Sequence, residues 1–205
     1  MTQWYTRVGN IGFNLILLNI LWTLGCLSGL IVLGIFPATV AMVAVIKHMV
    51  MEDDNPSIVR LFLENFNEQF FMANLLGYFM VAIGLIIFID IRWIQEMNEG
   101  LLQQVMMGLT FIVVLIYLLS LMYLFPIYLH FRFTFIQYPF QAFIMAIGKP
   151  VQTLFLIVAM IIMIMVYMIF PVLMVVFGLS LIFYLLTRVT ATSFPRKDTY
   201  NSETF

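Results

Sequence analysis

The stretch LIVLGIFPATVAMVAVIKHMVMEDD, residues 30 to 54, decides how the N-terminal half of this chain folds. Lys47 is the only charged residue between Ile11 and Met51. A single helix over that run would be about 60 Å long, roughly twice the hydrocarbon thickness of a bilayer. The run must therefore bend or fold back.

Gly34 and Pro37 mark the expected point of return. Pro37 disfavours helix at Phe36 and cannot donate a hydrogen bond to the preceding turn, and Gly34 is free to adopt turn geometry. We therefore predict two limbs, 11–33 and 37–51, that form a helical hairpin. Because the second limb would be only about 22 Å long, two alternatives stay open. It crosses the membrane fully, which is our first choice, or it stops part of the way.

Small residues on both limbs predict how the hairpin packs. Gly25 and Gly29 form a GxxxG pair on the first limb. Ala38, Ala41 and Ala44 recur every three residues on the second. Small faces let helix backbones approach closely in lipid. We therefore assign a role in the turn and in helix packing to six positions: Gly25, Gly29, Gly34, Pro37, Ala38 and Ala41.

The composition of the whole chain places it among membrane proteins. Of its 205 residues, 64% are hydrophobic and 9% are charged, and the mean hydropathy is +1.09. A soluble domain of this length cannot bury so much apolar surface. Because the apolar runs are hydrophobic all round, they predict helices rather than the alternating strands of a β-barrel. We predict an all-α transmembrane bundle with five to six membrane segments.

The rest of the chain divides into further spans and two interfacial helices. Residues 56–70 carry apolar side chains on one helical face and polar ones on the other, which predicts an amphipathic helix lying at the membrane surface. Residues 127–147 are aromatic and partly polar, which predicts a second interfacial helix. The polar tail, 191–205, is predicted to be disordered, and residues 1–190 form one domain. The remaining predicted spans are 71–91, 101–125, 151–170 and 172–189.

The Lys and Arg residues predict the orientation of the chain. A six-span arrangement puts all but one of the 9 on the same side, and the positive-inside rule makes that side, with both termini, cytoplasmic. Arg92 alone lies on the other side; if the second limb did not cross, Arg7 would join it and the asymmetry would weaken. The residues on the cytoplasmic side are Arg7, Lys47, Arg60, Arg132, Lys149, Arg188, Arg196 and Lys197.

The sequence contains no arrangement of residues typical of catalysis or metal binding. His48 and His130 are the only histidines; they lie in distant segments and neither has metal-ligand spacing. There is no G-x-S-x-G, no P-loop and no glycine-rich dinucleotide fingerprint. We therefore expect no enzyme, no catalytic residue, no cofactor, no metal site and no nucleic-acid partner.

Polar residues in or near the spans are the remaining candidates for function. Ionisable residues inside spans often mark functional sites. Asp90 and Arg92 lie at the outer end of a span, where they form a solute or proton site or, more simply, two charges that snorkel to the interface. Asn19 and Asn74 line a solute path or, more simply, make interhelical hydrogen bonds.

A second candidate surface is aromatic and basic. His130 and Arg132 lie among Tyr128, Phe135 and neighbouring aromatic residues. Such a surface could stack on a sugar ring or contact acidic lipid, although a cytoplasmic interface also shows aromatic belts with basic residues. We keep His130 and Arg132 as candidate contacts for a lipid or a partner protein.

Five short motifs point to a known family. They are Asn19 with Leu21-Trp22, the turn from Gly34 to Thr39, the segment from Phe62 to Phe70, Asp90 at a span end, and Tyr123 to Pro126. From residue 10 to about residue 190 the chain resembles the YesL-like family of bacterial integral membrane proteins, whose function is uncharacterised. Phe36 departs from the family pattern, because it stands where the Gly-Pro-Ala-Thr turn has a glycine.

The resemblance implies a location in the bacterial plasma (inner) membrane and an accessory role beside a carbohydrate uptake system. The implied partners are the lipid bilayer and either a sugar-transporter permease or a second copy of the chain. The lack of deep charges and of a nucleotide motif fits an accessory component better than an active pump. The alternative is a free-standing channel or facilitator for a small neutral solute.

Overall fold

The computed structural model describes residues 2–51, 57–97, 100–131 and 133–191, and all regular structure in this part of the chain is α-helical. Together with the long apolar helices, this confirms the predicted all-α class. The helices in the described residues are α1 (Thr2–Ser28), α2 (Ile35–Met51), α3 (Ile58–Glu96), α4 (Leu101–His130), α5 (Gln137–Gly148), α6 (Pro150–Ile169) and α7 (Pro171–Ala191).

The chain folds back at residues 29–34, between α1 and α2. Leu30 and Ile31 have φ angles of 53° and 66°, in the left-handed region that ordinary side chains rarely adopt. The Ile31 N–H donates to the carbonyl of Cys26 at 2.7 Å and helps to close the turn. The first limb therefore ends before the predicted boundary at residue 33.

We predicted the break at residues 34–37; Gly34 does lie in the turn, but the helix is not interrupted at Pro37. Pro37 lies in the first turn of α2, which begins at Ile35. The N–H groups of a first turn have no intrahelical acceptor, so proline loses no hydrogen bond there. Gly34 lets the chain pass close to the end of α1, because an added Cβ would lie 2.5 Å from the Cys26 carbonyl oxygen and 2.6 Å from that of Gly25.

α1 and α2 pack antiparallel through their small residues. A Cβ on Gly25 would lie 3.2 Å from the Cβ of Ala38, and the Trp22 Nε1–H donates to the Thr39 hydroxyl at 3.1 Å. Ala38 and Ala41 are completely buried. The small faces are thus occupied inside the protein and do not form an outer surface.

α2 lies at the centre of the bundle. It contacts α1, α3, α4 and α7, and residues 40–43 are at most 1% exposed. A helix that is hydrophobic all round needs burial on every side, and neighbouring helices provide it here. At 17 residues α2 is shorter than the 5 helices that are long and apolar enough to cross a membrane. The chain is a multi-pass membrane protein with a short central helix.

The predicted interfacial helix 56–70 is not separate: the helix that starts at Ile58 continues without a break as α3, and residue 56 lies outside the described part of the chain. Ser57 is the N-cap and accepts a hydrogen bond from the Arg60 N–H at 3.3 Å. Phe62 is 2% exposed and packs against α1 and α2, whereas Arg60 and Glu64 form an exposed salt bridge. The amphipathic pattern therefore reflects burial against protein.

The second predicted interfacial helix, 127–147, is also divided differently. Residues 127–130 belong to α4, which continues through Pro126, and residues 137–147 lie in the separate helix α5. Tyr138, Ala142 and Ala146 of α5 are buried in the main apolar cluster with α3, α4, α6 and α7. α5 is thus part of the bundle core.

The predicted spans 151–170 and 172–189 correspond to α6 and α7. α7 is kinked at Gly178, whose φ of 43° and ψ of −124° are not helical. The tail that we predicted to be disordered lies, from residue 192 onward, outside the described part of the chain.

The contact between Gly77 of α3 and the Phe36 ring of α2 provides a test of this packing, since a Cβ on Gly77 would overlap the ring. We predict that Gly77→Ala lowers the melting temperature of the detergent-solubilised protein, because overpacking a core contact costs about 1–3 kcal/mol. Gly108→Ala is the matched control, since Gly108 in α4 has open space around it. Equal melting temperatures for the two variants would contradict the packing.

Candidate functional site

The predicted polar residues lie at three separate places in the bundle. Asn19 faces α7, Asn74 faces the turn at residues 29–34, and Asp90 faces α4. The structure does not bring these three places together into one site. Arg132 and the side chain of His130 lie outside the described part of the chain.

Asn19 connects α1 to the kinked segment of α7. Its side-chain amide donates to the carbonyl of Val175 at 2.9 Å and to that of Val176 at 3.4 Å. In a regular helix these carbonyls accept from N–H groups four residues further on. The kink at Gly178 disturbs that ladder, and the Asn19 amide supplies donors at the disturbed position.

Two hydroxyl groups bind further carbonyls beside the kink. The Tyr167 hydroxyl on α6 donates to the Gly178 carbonyl at 2.8 Å. The buried Ser180 hydroxyl donates to the Phe177 carbonyl at 2.6 Å. A Cβ on Gly178 would overlap the Asn19 amide, and the positive φ also disfavours any other residue there. Hydrogen bonds therefore hold α1, α6 and α7 together at this kink.

Asn74 holds the turn at residues 29–34 in the same way. Its side-chain amide donates to the carbonyls of Leu33 and Phe70, both at 2.9 Å. One helical turn later, the Tyr78 hydroxyl donates to the Val32 carbonyl at 2.7 Å. The Asn74 Oδ1 atom is buried without a partner in the described part of the chain. The turn itself is apolar, and its Leu30 is 83% exposed. The Asn74 amide and the Tyr78 hydroxyl satisfy carbonyls of this turn without water.

Asp90 differs from both asparagines because it is a charged residue at an exposed position. The Thr110 hydroxyl, on a residue that is 7% exposed, donates to Asp90 Oδ2 at 2.9 Å, whereas Asp90 itself is exposed. Arg92 does not pair with Asp90, since residues two apart do not face each other on a helix. Its guanidinium lies 5.5 Å from the centroid of the Phe88 ring.

The aromatic surface predicted around His130 is largely an internal contact between α4 and α5. Tyr128 donates a hydrogen bond to Gln69 of α3 and its ring lies 5.1 Å from that of Tyr138. The Lys47 ammonium group donates to the Leu129 carbonyl at 2.7 Å. These residues therefore fasten α2, α3 and α5 to the end of α4.

Ligand-binding features are few among the described residues. No group of three His, Cys, Asp or Glu side chains there could hold a metal ion. A small pocket between α6 and α7 is lined by apolar side chains only: Leu156, Ala159, Met160, Met163, Ile182, Leu185 and Leu186. A pocket without polar groups offers nothing to fix a sugar or an ion.

The sequence analysis missed several residues of these places, among them Tyr78, which binds the turn. Thr110, Tyr167 and Gly178 each act through a residue on another helix. An isolated glycine inside an apolar span is a known signal for a break or a close approach, so Gly178 was accessible from sequence. Thr110 and Tyr167 gave no such local signal.

Comparison with known proteins supports the resemblance seen in the sequence. Residues 15–91 match the family model "Protein of unknown function, DUF624". The chain is 26% identical over 181 residues to uncharacterized protein YesL of Bacillus subtilis (strain 168), covering 88% of this chain and 85% of YesL. Over 113 residues it is 34% identical to YteU of the same organism, covering 55% of this chain and 50% of YteU.

A third relative from the same organism, uncharacterized protein YesV, is 31% identical over 136 residues, covering 66% of this chain and 65% of YesV. No solved structure matches the chain. The matched family region contains Asn19, the turn at residues 29–34, Asn74 and Asp90. The predicted resemblance to the YesL-like family is confirmed.

The hydrogen bonds at the α7 kink provide a second test. We predict that Asn19→Leu destabilises the solubilised protein by about 1–2 kcal/mol, because it leaves backbone carbonyls unsatisfied. Hydrogen exchange of the amides around Gly178 should accelerate at the same time. Asn14→Leu, on the same helix, is the control and should leave exchange in α7 unchanged. Unaltered exchange in Asn19→Leu would show that the amide does not hold the kink.

Proposed function

Because this chain is a YesL-like membrane protein, we propose that it is a non-catalytic accessory component of a carbohydrate uptake system in the bacterial plasma (inner) membrane. Its role would be to bind and support a sugar-transporter permease. The carbohydrate part of the proposal rests on the family resemblance. The accessory part rests on how the structure uses its polar groups.

The observation that supports an accessory role is that the NH2 donors of the candidate solute-binding amides are engaged within the protein. Asn19 and Asn74 each donate to two backbone carbonyls. The hydroxyls of Tyr167 and Tyr78 are engaged in the same way. A solute path needs polar groups that are free to exchange partners with the solute. These groups instead stabilise the bundle, which fits a scaffold better than a channel.

The chemistry of the described side chains also supports a role without catalysis. The single cysteine, Cys26, is buried, and Asp90 has a threonine hydroxyl rather than a second titratable group as its partner. General acid–base or nucleophilic catalysis needs a positioned pair of such groups. We therefore propose that the protein acts by binding.

Purification from native membranes in a mild detergent tests the accessory role. We predict that a sugar-transporter permease is recovered with the tagged protein at near-equal stoichiometry, and that an unrelated multi-pass protein with the same tag does not recover it. Recovery of the chain alone, together with solute flux into liposomes that contain only this protein, would replace the proposal with the free-standing channel or facilitator.

We further propose that both termini are cytoplasmic, as the distribution of Lys and Arg predicts. A cysteine at Thr2 in a Cys26→Ser background should react with a membrane-impermeant maleimide only after the cells are permeabilised. A cysteine at Met97, beside the connection between α3 and α4, is the control and should react in intact cells. Labelling at Thr2 in intact cells would place the N-terminus outside.

A further inference from the structure

The C-terminal part of α3 and the N-terminal part of α4, residues 81–96 and 101–116, form two arms with little protein around them. In the most apolar stretch of α4 only 11% of the residues are buried. Thr110 bonds to Asp90 and Gln103 bonds to the Ile94 carbonyl between the arms, and Ile94 is 2% exposed. We call this pair of segments the α3–α4 arms.

The surface of the arms beside Asp90 is apolar and open. Phe88 and Ile89 of α3 are 55% and 54% exposed, and Leu109 and Phe111 of α4 are 59% and 68% exposed. Such a surface needs lipid or another protein against it. Lipid alone would suit the apolar side chains but not the carboxylate among them.

The carboxylate lies away from the connection between the two arms. Asp90 precedes the end of α3 at Glu96 by about 9 Å of helix, and Thr110 follows the start of α4 at Leu101 by about 14 Å. A carboxylate near the end of a span is costly in lipid unless it is paired or reaches the interface. In the described part of the chain no cation pairs with Asp90, and Arg92 lies over the Phe88 ring instead.

The Thr110 hydroxyl gives the carboxylate a fixed direction. It donates to Oδ2 from a buried position, and Asp90 as a residue is exposed, so the second oxygen, Oδ1, is not used by Thr110. A fixed acceptor with negative charge inside an apolar surface is complementary to a single cation carried by an apolar segment.

We propose that the α3–α4 arms bind a transmembrane helix of a partner protein, and that a Lys or Arg side chain of that helix pairs with Asp90. The apolar side chains on both sides of Asp90 would cover the partner helix, and Thr110 would keep the carboxylate in position. This inference rests on the proposed accessory function and identifies the surface that carries it. Pairing would reduce the free-energy cost of placing the partner's cation and this carboxylate in lipid.

Photo-crosslinking in native membranes tests this surface. A benzoylphenylalanine residue replaces Leu109 in the full-length chain, and the crosslinked peptide is identified by mass spectrometry. The expected product joins Leu109 to a membrane-spanning segment that has a Lys or Arg within one helical turn. Asp90→Asn keeps an acceptor for Thr110 but removes the charge, and should reduce the yield by about tenfold or more, which corresponds to about 1.4 kcal/mol.

Two control variants separate charge from folding. Asp90→Glu keeps the charge and should retain most of the crosslink, whereas Arg92→Gln removes a nearby charge that is not part of the proposed pair and should leave it unchanged. Exchange of the charges, with Asp90→Lys in this chain and Asp in place of the partner's basic residue, should restore the product. A yield that does not change in Asp90→Asn would overturn the proposal.

Other crosslinking products also decide the matter. Crosslinks only to lipid, to a second copy of this chain, or to a segment without a basic residue would each overturn it. A permease that still co-purifies with Asp90→Asn at the wild-type ratio would overturn this surface and leave the accessory function standing. If no permease co-purifies with the wild-type chain, the accessory function fails, and a charge-dependent crosslink to another membrane protein would still support the surface.

Discussion

Every interruption of a helix in an apolar bundle must have its backbone polar groups satisfied from within the protein, because hydrocarbon offers no hydrogen bonds. The chain meets this constraint twice with the same pair of residue types. At the turn, Asn74 and Tyr78 bind the carbonyls of Leu33 and Val32, and the Asn74 amide also donates to the Phe70 carbonyl of its own helix. At the kink of α7, Asn19 and Tyr167 bind three more. The amide of an asparagine serves two carbonyls and the tyrosine hydroxyl serves one in each case.

The position of α2 follows from this arrangement. A turn whose carbonyls are satisfied lets the chain return directly into the bundle, and α2 then occupies its centre without a charged residue before Lys47. Small residues make the return possible, since Gly25 and Ala38 allow α1 and α2 to lie side by side. At the far end of α2, Lys47 donates to the last turn of α4, so its charge lies at the edge of the buried segment.

The same constraint separates structural from functional polar groups. An amide that holds backbone carbonyls is committed to the fold, and replacing its partner with a solute would leave those carbonyls unsatisfied. Asp90 is different, because it lies at an exposed position and its bond to the Thr110 hydroxyl involves no backbone carbonyl. The proposed partner surface therefore lies on the outer face of α3 and α4, whereas the interior amides stabilise the fold.

The sequence by itself determined the membrane class, the helical content, the return of the chain after the first span and the amphipathic face of residues 58–70. These properties depend on composition and on local periodicity, and both can be read from a short stretch of sequence. It misplaced the turn, because Leu30 and Ile31 adopt left-handed angles that their residue types disfavour and that tertiary contacts impose. Only the tertiary structure decided that the face of Phe62 packs on protein, that Gly178 kinks α7 and that the Asn19 amide bonds to the carbonyls beside this kink. Asn19 and Val175 are 156 positions apart, and no local pattern states which distant carbonyl an amide will reach, because that depends on how all the helices pack together.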